Sequence, residues 1–135
     1  MKFYEVSEID DSVIKYAVIV SKYKDNWVFC KHKDRDTWEV PGGHREEREN
    51  ILDTAKRELF EESGAVKFDI KPICVYSVIR KTETFGMLFY ADIQEFKDLP
   101  ETEIEKIDFF NELPKNLTYP LIQPKLIDKV LESEN

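Results

Sequence analysis

Hydrophobic residues recur along the chain at two spacings, one typical of strands and the other of helices. Runs rich in β-branched and aromatic residues predict strands at positions 13–20, 27–30, 66–79, 85–93 and 107–110. A polar turn at residues 24–26 predicts a hairpin over residues 14–33, and residues 80–84 predict a second hairpin. Between the two hairpins, Pro41, Gly42 and Gly43 break the pattern and predict a tight loop with a special backbone conformation.

Two segments carry the helical spacing instead. Ile51, Leu52, Ala55, Leu59 and Ser63 predict a helix over residues 50–63 that ends at Gly64. A second helix near the end is predicted by apolar residues 122, 126, 127, 130 and 131, with a proline at 124 in its first turn. The order strands, helix, strands, helix predicts a mixed sheet flanked by helices, so the fold class is α/β or α+β.

Composition narrows the class of protein. A chain of 135 residues has the length of one domain, so we expect residues 1–135 to form a single unit. Its apolar runs, such as residues 17–20, are far too short to cross a membrane. The net charge of −8 disfavours binding to nucleic acid backbones. Cys30 and Cys74 lie in strand-like segments, which predicts reduced core thiols and a cytoplasmic protein.

The predicted helix over residues 50–63 carries an acidic cluster. Glu58, Glu61 and Glu62 are spaced i, i+3 and i+4, which places them on one helical face within a few ångströms of one another. Like charges at this spacing repel, and the helix dipole adds to the cost near the C-terminus. Shared hard-oxygen ligands suit Mg²⁺, with Mn²⁺ as a substitute, and the cation would offset the repulsion. The alternative is a solvated acidic face paired with Lys56 and Arg57.

The segment around this cluster resembles the signature of the Nudix hydrolase family, G-x5-E-x7-R-E-U-x-E-E-x-G-U, where U is a bulky aliphatic residue. Its fixed positions are filled in register by Gly43, Glu49, Arg57, Glu58, Leu59, Glu61, Glu62, Gly64 and Ala65. Ala65 is smaller than the usual aliphatic residue at the last position. The resemblance implies an α/β/α sandwich around a mixed sheet.

The resemblance also assigns roles. Glu58, Glu61 and Glu62 would bind the divalent metal, and the backbone carbonyl of Gly42 would add a ligand. Arg57 and Glu49 would orient the cluster through a salt bridge.

Gly43 and Gly64 would permit the loop geometry. A general base is also expected, and two positions stay open for it. One is Glu58, and the other is a loop carboxylate just before the short strand at 107–110, for which Glu105 and its neighbour Glu103 are candidates.

The signature leaves the substrate open. By similarity, the first expectation is a nucleoside triphosphate, including an oxidised one such as 8-oxo-dGTP, cut to the monophosphate and pyrophosphate. The alternatives are another nucleoside diphosphate compound (a nucleotide sugar, ADP-ribose or an RNA 5′ end) and a nucleotide-sensing module without catalysis. The partner is thus a small nucleotide, and the oligomeric state is left open between monomer and homodimer.

Aromatic and polar residues outside the signature have structural interpretations first. Tyr76, Phe85, Phe89 and Tyr90 are predicted to lie in the sheet core, with stacking on a base as the alternative. Gln123 is predicted to be a polar helix position, with recognition of a base edge as the alternative.

Overall fold

The structure is a computed structural model that describes residues 1–134. Across these residues the chain forms eight strands and two helices. The strands are β1 (Lys2–Tyr4), β2 (Ile14–Tyr23), β3 (Asn26–His32), β4 (Trp38–Glu39), β5 (Gly42–His44), β6 (Ala65–Ile79), β7 (Glu83–Phe96) and β8 (Ile104–Phe110). The helices are α1 (Ile51–Ser63) and α2 (Gln123–Ser133), and 3-10 turns occupy Val6–Glu8 and Asp11–Val13.

All strands belong to one mixed sheet that branches at β2 and at β3. The main path runs β1-β6-β7-β2-β3-β4, while β5 pairs with β2 and β8 pairs with β3. The β2–β7 pairing is parallel and extends from Ile14 to Tyr23 of β2, whereas the other pairings are antiparallel. The branch lets β2 carry β5 at its beginning and β3 at its end.

Alternating side chains along the strands build a core on each face of the sheet. On one face, Phe89 of β7 packs in the cluster that holds Ala55 and Leu59 of α1. On the other face, the neighbouring Leu88 packs in the cluster that holds Leu126 of α2. The two helices therefore cover opposite faces, and the prediction of a mixed sheet flanked by helices is confirmed.

The hairpin predicted over residues 14–33 is much shorter than expected. β2 and β3 pair only at Lys22↔Trp27 and Tyr23↔Asn26, next to the turn. The rest of β2 is central in the sheet and pairs with β7 and β5, strands that come much later in the sequence. The second hairpin is confirmed, since β6 and β7 pair down to Ile79↔Glu83. Strand β1, at the edge of the sheet, has no counterpart in the sequence prediction.

Two features predicted from composition can be compared with the structure. Cys30 and Cys74 are both free and buried, which confirms the prediction of core thiols. Within residues 1–134, no helix combines the length and the apolar character needed to span a membrane.

Candidate active site

Helix α1 is fixed at both ends by capping groups. The Asn50 side chain accepts a hydrogen bond from the backbone N–H of Asp53, so Asn50 is the N-cap. Gly64 ends the helix with a left-handed φ of 80°, and its N–H donates to the Phe60 carbonyl. Leu59 is fully buried against the sheet, and Ala65 starts β6 in the same core. The helix prediction is confirmed, and it orients the acidic face beside β5.

Gly42 and Gly43 form most of β5 rather than a strained loop. Among residues 1–134, the only glycine with a positive φ is Gly64, so the expected special conformation at 41–43 is wrong. The two glycines are needed for space instead. A Cβ atom on Gly42 would lie 2.7 Å from the Ala17 carbonyl oxygen, and one on Gly43 would lie 2.5 Å from the Glu58 carboxyl carbon. Gly42 therefore lets β5 lie close to β2, and Gly43 lets the Glu58 carboxylate of α1 lie against β5.

Glu62 is the carboxylate most enclosed by this packing. Its Oε1 accepts a hydrogen bond of 2.7 Å from the backbone N–H of Gly42. Burial raises the pKa of Glu62 to about 8, and the nearby charges of Glu58, Glu39 and Glu61 act in the same direction. The Gly42 N–H opposes this shift. A cation beside Glu62 would therefore offset an existing electrostatic cost.

Glu58 and Glu61 share the guanidinium of Arg57. Arg57 Nη1 lies 2.6 Å from Glu58 Oε1 and 3.5 Å from Glu61 Oε2. Burial raises the pKa of Glu58, and the Arg57 charge acts against that rise. The Glu61 side chain is more open, at 42% exposure against 13% for Glu58. Arg57 thus supplies the positive charge that the solvated-face alternative anticipated, whereas Lys56 has no ion pair within residues 1–134.

Arg57 is itself held by Glu49 in a two-pronged ion pair. Nε donates to Glu49 Oε2 at 2.8 Å and Nη2 donates to Glu49 Oε1 at 3.0 Å. The buried Thr54 hydroxyl donates to the same carboxylate at 2.6 Å. The Arg57 hydrogen bond, followed by that of Thr54, lowers the pKa of Glu49 to about 2. The expected salt bridge between Arg57 and Glu49 is therefore formed.

The three helix carboxylates do not converge on a common point in this conformation. Among the described residues, no three Asp, Glu, His or Cys side chains are grouped closely enough to hold a metal ion. Glu62 is bonded to the Gly42 N–H and Glu58 is paired with Arg57. A cation site shared by the three carboxylates therefore stays a prediction. The residues nevertheless fit a hard cation, because they are oxygen donors. The Glu58 carboxylate also lies directly against β5, its carboxyl carbon only 2.5 Å from where a Cβ of residue 43 would be.

The two carboxylates expected in a loop before the last strand, Glu103 and Glu105, lie at or just before the beginning of β8 rather than on α1. Glu105 belongs to β8, and its Oε2 is 3.1 Å from Lys31 Nζ of β3. Glu103 precedes β8, and its carboxylate is 3.8 Å from His32 Nδ1. The segment before β8 contacts α1 through Thr102, whose hydroxyl donates a hydrogen bond of 3.5 Å to the Glu61 carbonyl. The structure therefore places Glu105 in an ion pair with Lys31, and its catalytic role stays a prediction.

An open cleft of about 820 Å³ begins at Gly42, Gly43 and Glu62 and extends between the sheet and the start of α2. Its walls combine apolar and aromatic side chains with basic ones. Arg80 and Lys81, on the β6–β7 turn, line it and have no ion pair among residues 1–134. In a chain with a net charge of −8, this local excess of positive charge favours an anionic ligand.

The floor of the cleft contains a row of aromatic residues at one sheet register. Tyr16 of β2 and Tyr76 of β6 both face Gly86 of β7, and Tyr16 also faces His44 of β5. The Tyr16 and His44 rings are 4.4 Å apart, and a Cβ on Gly86 would lie 2.6 Å from the Tyr76 hydroxyl oxygen. Tyr76 is only 7% exposed, and its hydroxyl has no hydrogen-bond partner among the described residues. Tyr76 is thus a core residue, as predicted, that also faces the cleft.

The burial of two polar side chains in the cleft wall, Glu39 and Gln123, was not predicted from the sequence. Glu39 is 8% exposed, and its carboxylate lies 3.0 Å from Arg35 Nη1 and 3.6 Å from His32 Nε2. Gln123 is 5% exposed, and its Oε1 accepts a hydrogen bond of 3.0 Å from the Val40 N–H. The i, i+4 spacing of Arg35 and Glu39 was the only signal, and it could not show that Glu39 is buried in the cleft wall.

The sequence of the chain is similar to that of known proteins. The family model described as NUDIX domain matches residues 14–112. The chain is 31% identical over 106 residues to the protein named "Putative 8-oxo-dGTP diphosphatase YtkD" from Bacillus subtilis (strain 168). That match covers 77% of this chain and 66% of the relative, just under two thirds of its length.

Solved structures show the same fold. The Bacillus subtilis pyrophosphohydrolase BsRppH superposes with a TM-score of 0.82 at 22% identity, covering 98% of this chain and 90% of that one. A MutT NUDIX hydrolase from Burkholderia pseudomallei has a TM-score of 0.68 at 19% identity, covering 85% of this chain and 95% of that one. At these identities the superpositions establish the architecture.

Proposed function

The chain belongs to the Nudix family, and from this membership we propose that it is a divalent-cation-dependent hydrolase of a nucleotide pyrophosphate bond. The proposed substrate is a nucleoside triphosphate, including an oxidised one such as 8-oxo-dGTP, and the products are the monophosphate and pyrophosphate. The observation that carries the proposal is the position of Glu62. It is an enclosed carboxylate on the Gly42 N–H, at the end of a cleft with basic and aromatic walls.

In this proposal Glu58, Glu61 and Glu62 hold Mg²⁺ or Mn²⁺, and the Gly42 carbonyl adds a ligand. When bound, such a cation polarises a phosphoryl oxygen and lowers the pKa of a coordinated water molecule. Arg57, itself fixed by Glu49, orients Glu58 and Glu61.

Proton transfer is assigned to a carboxylate of the chain. Glu58 is the first candidate for the general base, because its side chain is largely enclosed and burial raises its pKa. Glu105 is the second candidate, although it would have to leave its ion pair with Lys31 to act on the cleft.

The cleft is proposed to hold the nucleoside. Its volume of about 820 Å³ lies within the range of small-molecule sites, and its basic side chains Arg80 and Lys81 suit phosphates. The rings of Tyr16 and Tyr76 offer a surface on which a planar base can pack. The buried amide of Gln123 has an Nε2 group that makes no hydrogen bond within residues 1–134 and can donate to the base edge. This arrangement favours a nucleotide over a diphosphate without a base.

The test is a substrate panel with Mg²⁺ or Mn²⁺ that includes ordinary and oxidised nucleoside triphosphates, a nucleotide sugar, ADP-ribose and 5′-triphosphorylated RNA. We expect the highest kcat/KM for a triphosphate, with pyrophosphate as product and release abolished by chelation. Glu62→Gln should lower the rate by about 10²-fold or more while the protein stays folded. Glu132→Gln, on α2 and remote from the cleft, is the matched control and should keep full activity.

Three results would count against the proposal. If ADP-ribose or RNA is turned over fastest, the proposed substrate is wrong but the proposed hydrolase activity still holds. Saturable nucleotide binding without any turnover would favour the sensing module. If Glu62→Gln is as active as the native chain, Glu62 takes no part in the reaction and the proposed cation site on α1 is wrong.

A further inference from the structure

The Arg45 side chain donates hydrogen bonds both to a segment about 30 residues earlier in the chain and to its own loop. Its Nη1 donates to the carbonyl of Asp11 at 2.9 Å and of Ile14 at 3.3 Å, and its Nη2 donates to Asp11 Oδ2 at 2.8 Å. Its Nε donates to the backbone carbonyl of Glu49 at 2.7 Å. One guanidinium therefore joins the 3-10 turn Asp11–Val13 to the loop that leads into α1.

The loop fixed by Arg45 is also backbone-strained. Arg48, one residue before Glu49, has a φ of 67°, a left-handed conformation that costs a non-glycine residue about 1 kcal/mol or more. A loop with this cost needs external contacts to stay in one conformation. Arg45 provides them at both ends, through its own backbone N–H to the Lys15 carbonyl at 2.8 Å and through its side chain to Glu49.

Glu49 passes this restraint to the acidic helix. Its backbone is held by Arg45 and its carboxylate is the two-pronged partner of Arg57. Arg57 in turn contacts the carboxylates of Glu58 and Glu61. Every link in the series from Asp11 to Glu58 is a direct hydrogen bond or ion pair.

We propose that Arg45 is a positioning residue that, together with Asp11, sets the affinity of the acidic helix for its divalent cation. This inference rests on the proposed function, because it requires the helix glutamates to bind that cation. Asp11 lies outside the residues 14–112 that match the NUDIX domain, so this support comes from a segment of the chain beyond the matched region.

The experiment measures Mn²⁺ binding to the full chain by isothermal titration, with thermal melting of the same samples. Arg45→Ala should raise the dissociation constant about tenfold, the lower end for outer-shell support of a metal site, and Asp11→Asn should raise it by a smaller factor. Arg45→Lys keeps the positive charge but lacks the several fixed N–H donors of the guanidinium. Its Mn²⁺ affinity should therefore lie between those of Arg45→Ala and the native chain. Lys15→Gln is the matched control. The Lys15 side chain donates a hydrogen bond of 2.9 Å to the carbonyl of Ser12, in the same 3-10 turn, but does not contact the loop before α1. The Mn²⁺ affinity of Lys15→Gln should therefore equal that of the native chain.

A second readout follows the support itself. Hydrogen exchange of the Arg57 Nε–H, measured by NMR without metal, should accelerate in Arg45→Ala and stay unchanged in Lys15→Gln. If Arg45→Ala and Asp11→Asn only lower the melting temperature, with Mn²⁺ affinity and Arg57 exchange unchanged, Arg45 is merely structural and the inference is overturned. If the native chain binds no Mn²⁺ at all, the proposed function fails first and the inference fails with it.

Discussion

Gly43→Ala is the substitution with the most specific predicted outcome. The new Cβ would lie 2.5 Å from the Glu58 carboxyl carbon, with the two carboxylate oxygens at 2.6 and 2.8 Å. Ordinary contacts begin near 3.4 Å, so the Glu58 carboxylate must move by about 1 Å. The obstacle is the end of a flexible side chain, so the backbone can stay in place.

The displacement is expected to affect activity far more than stability. Misplacement of a reacting or ligating group by about 1 Å can lower a rate roughly 10²-fold, so kcat/KM should fall by that order. The free energy of unfolding should change by no more than about 1 kcal/mol, because β5 has an ordinary strand backbone that alanine adopts easily.

Gly42→Ala is the matched control, since it places the same methyl group one residue earlier. There the Cβ would lie 2.7 Å from the Ala17 carbonyl oxygen, and a backbone atom of β2 must shift. We expect this variant to lose about 1–3 kcal/mol of stability. The assay is steady-state hydrolysis with saturating Mg²⁺, beside urea denaturation of each variant. Full activity of Gly43→Ala, or a stability loss as large as that of Gly42→Ala, would show that Gly43 does not set the position of the Glu58 carboxylate.

Three further predictions concern single side chains. The pKa of Glu49 is lowered from 4.5 to about 2, so its contribution to stability is present above pH 4.5 and is lost as the pH falls towards 2. Urea denaturation should therefore show Glu49→Gln less stable than the native chain by about 1–2 kcal/mol at pH 6, allowing for solvent screening, with the difference shrinking at pH 3; a constant difference would contradict this. Arg48→Gly should raise the melting temperature, because glycine accepts the φ of 67°, and an unchanged or lower value would remove the inferred strain. Tyr76→Phe should leave stability unchanged and raise the KM of the nucleotide about 2–10-fold, since the hydroxyl has no internal partner; an unchanged KM would exclude substrate contact.

Local features of the chain were predictable from the sequence. Helix α1 was predicted within one residue, because Asn50, Gly64 and the spacing of its apolar residues act within the helix itself. The Arg57–Glu49 pair followed from the family signature, and the structure forms it. The β6–β7 hairpin was also predicted, since its two strands are adjacent in sequence.

Features that depend on distant partners were not predictable. The parallel pairing of β2 with β7 joins segments about 70 positions apart, so the hairpin prediction gave β2 the wrong main partner. The pattern Pro41-Gly42-Gly43 predicted a tight loop with a special backbone conformation, whereas the structure shows a strand that closely approaches Ala17 and Glu58. The cleft itself draws residues from strands, turns and α2, and no single stretch of sequence contains it.

The proposed hydrolysis depends on a divalent cation shared by Glu58, Glu61 and Glu62. Isothermal titration with Mn²⁺ tests this sharing on the native chain and on Glu62→Gln, with Glu132→Gln as the control. We expect saturable binding to the native and control proteins, and a loss of affinity of about tenfold or more in Glu62→Gln without loss of folding. Equal affinities in all three proteins, or no binding to the native chain, would contradict it.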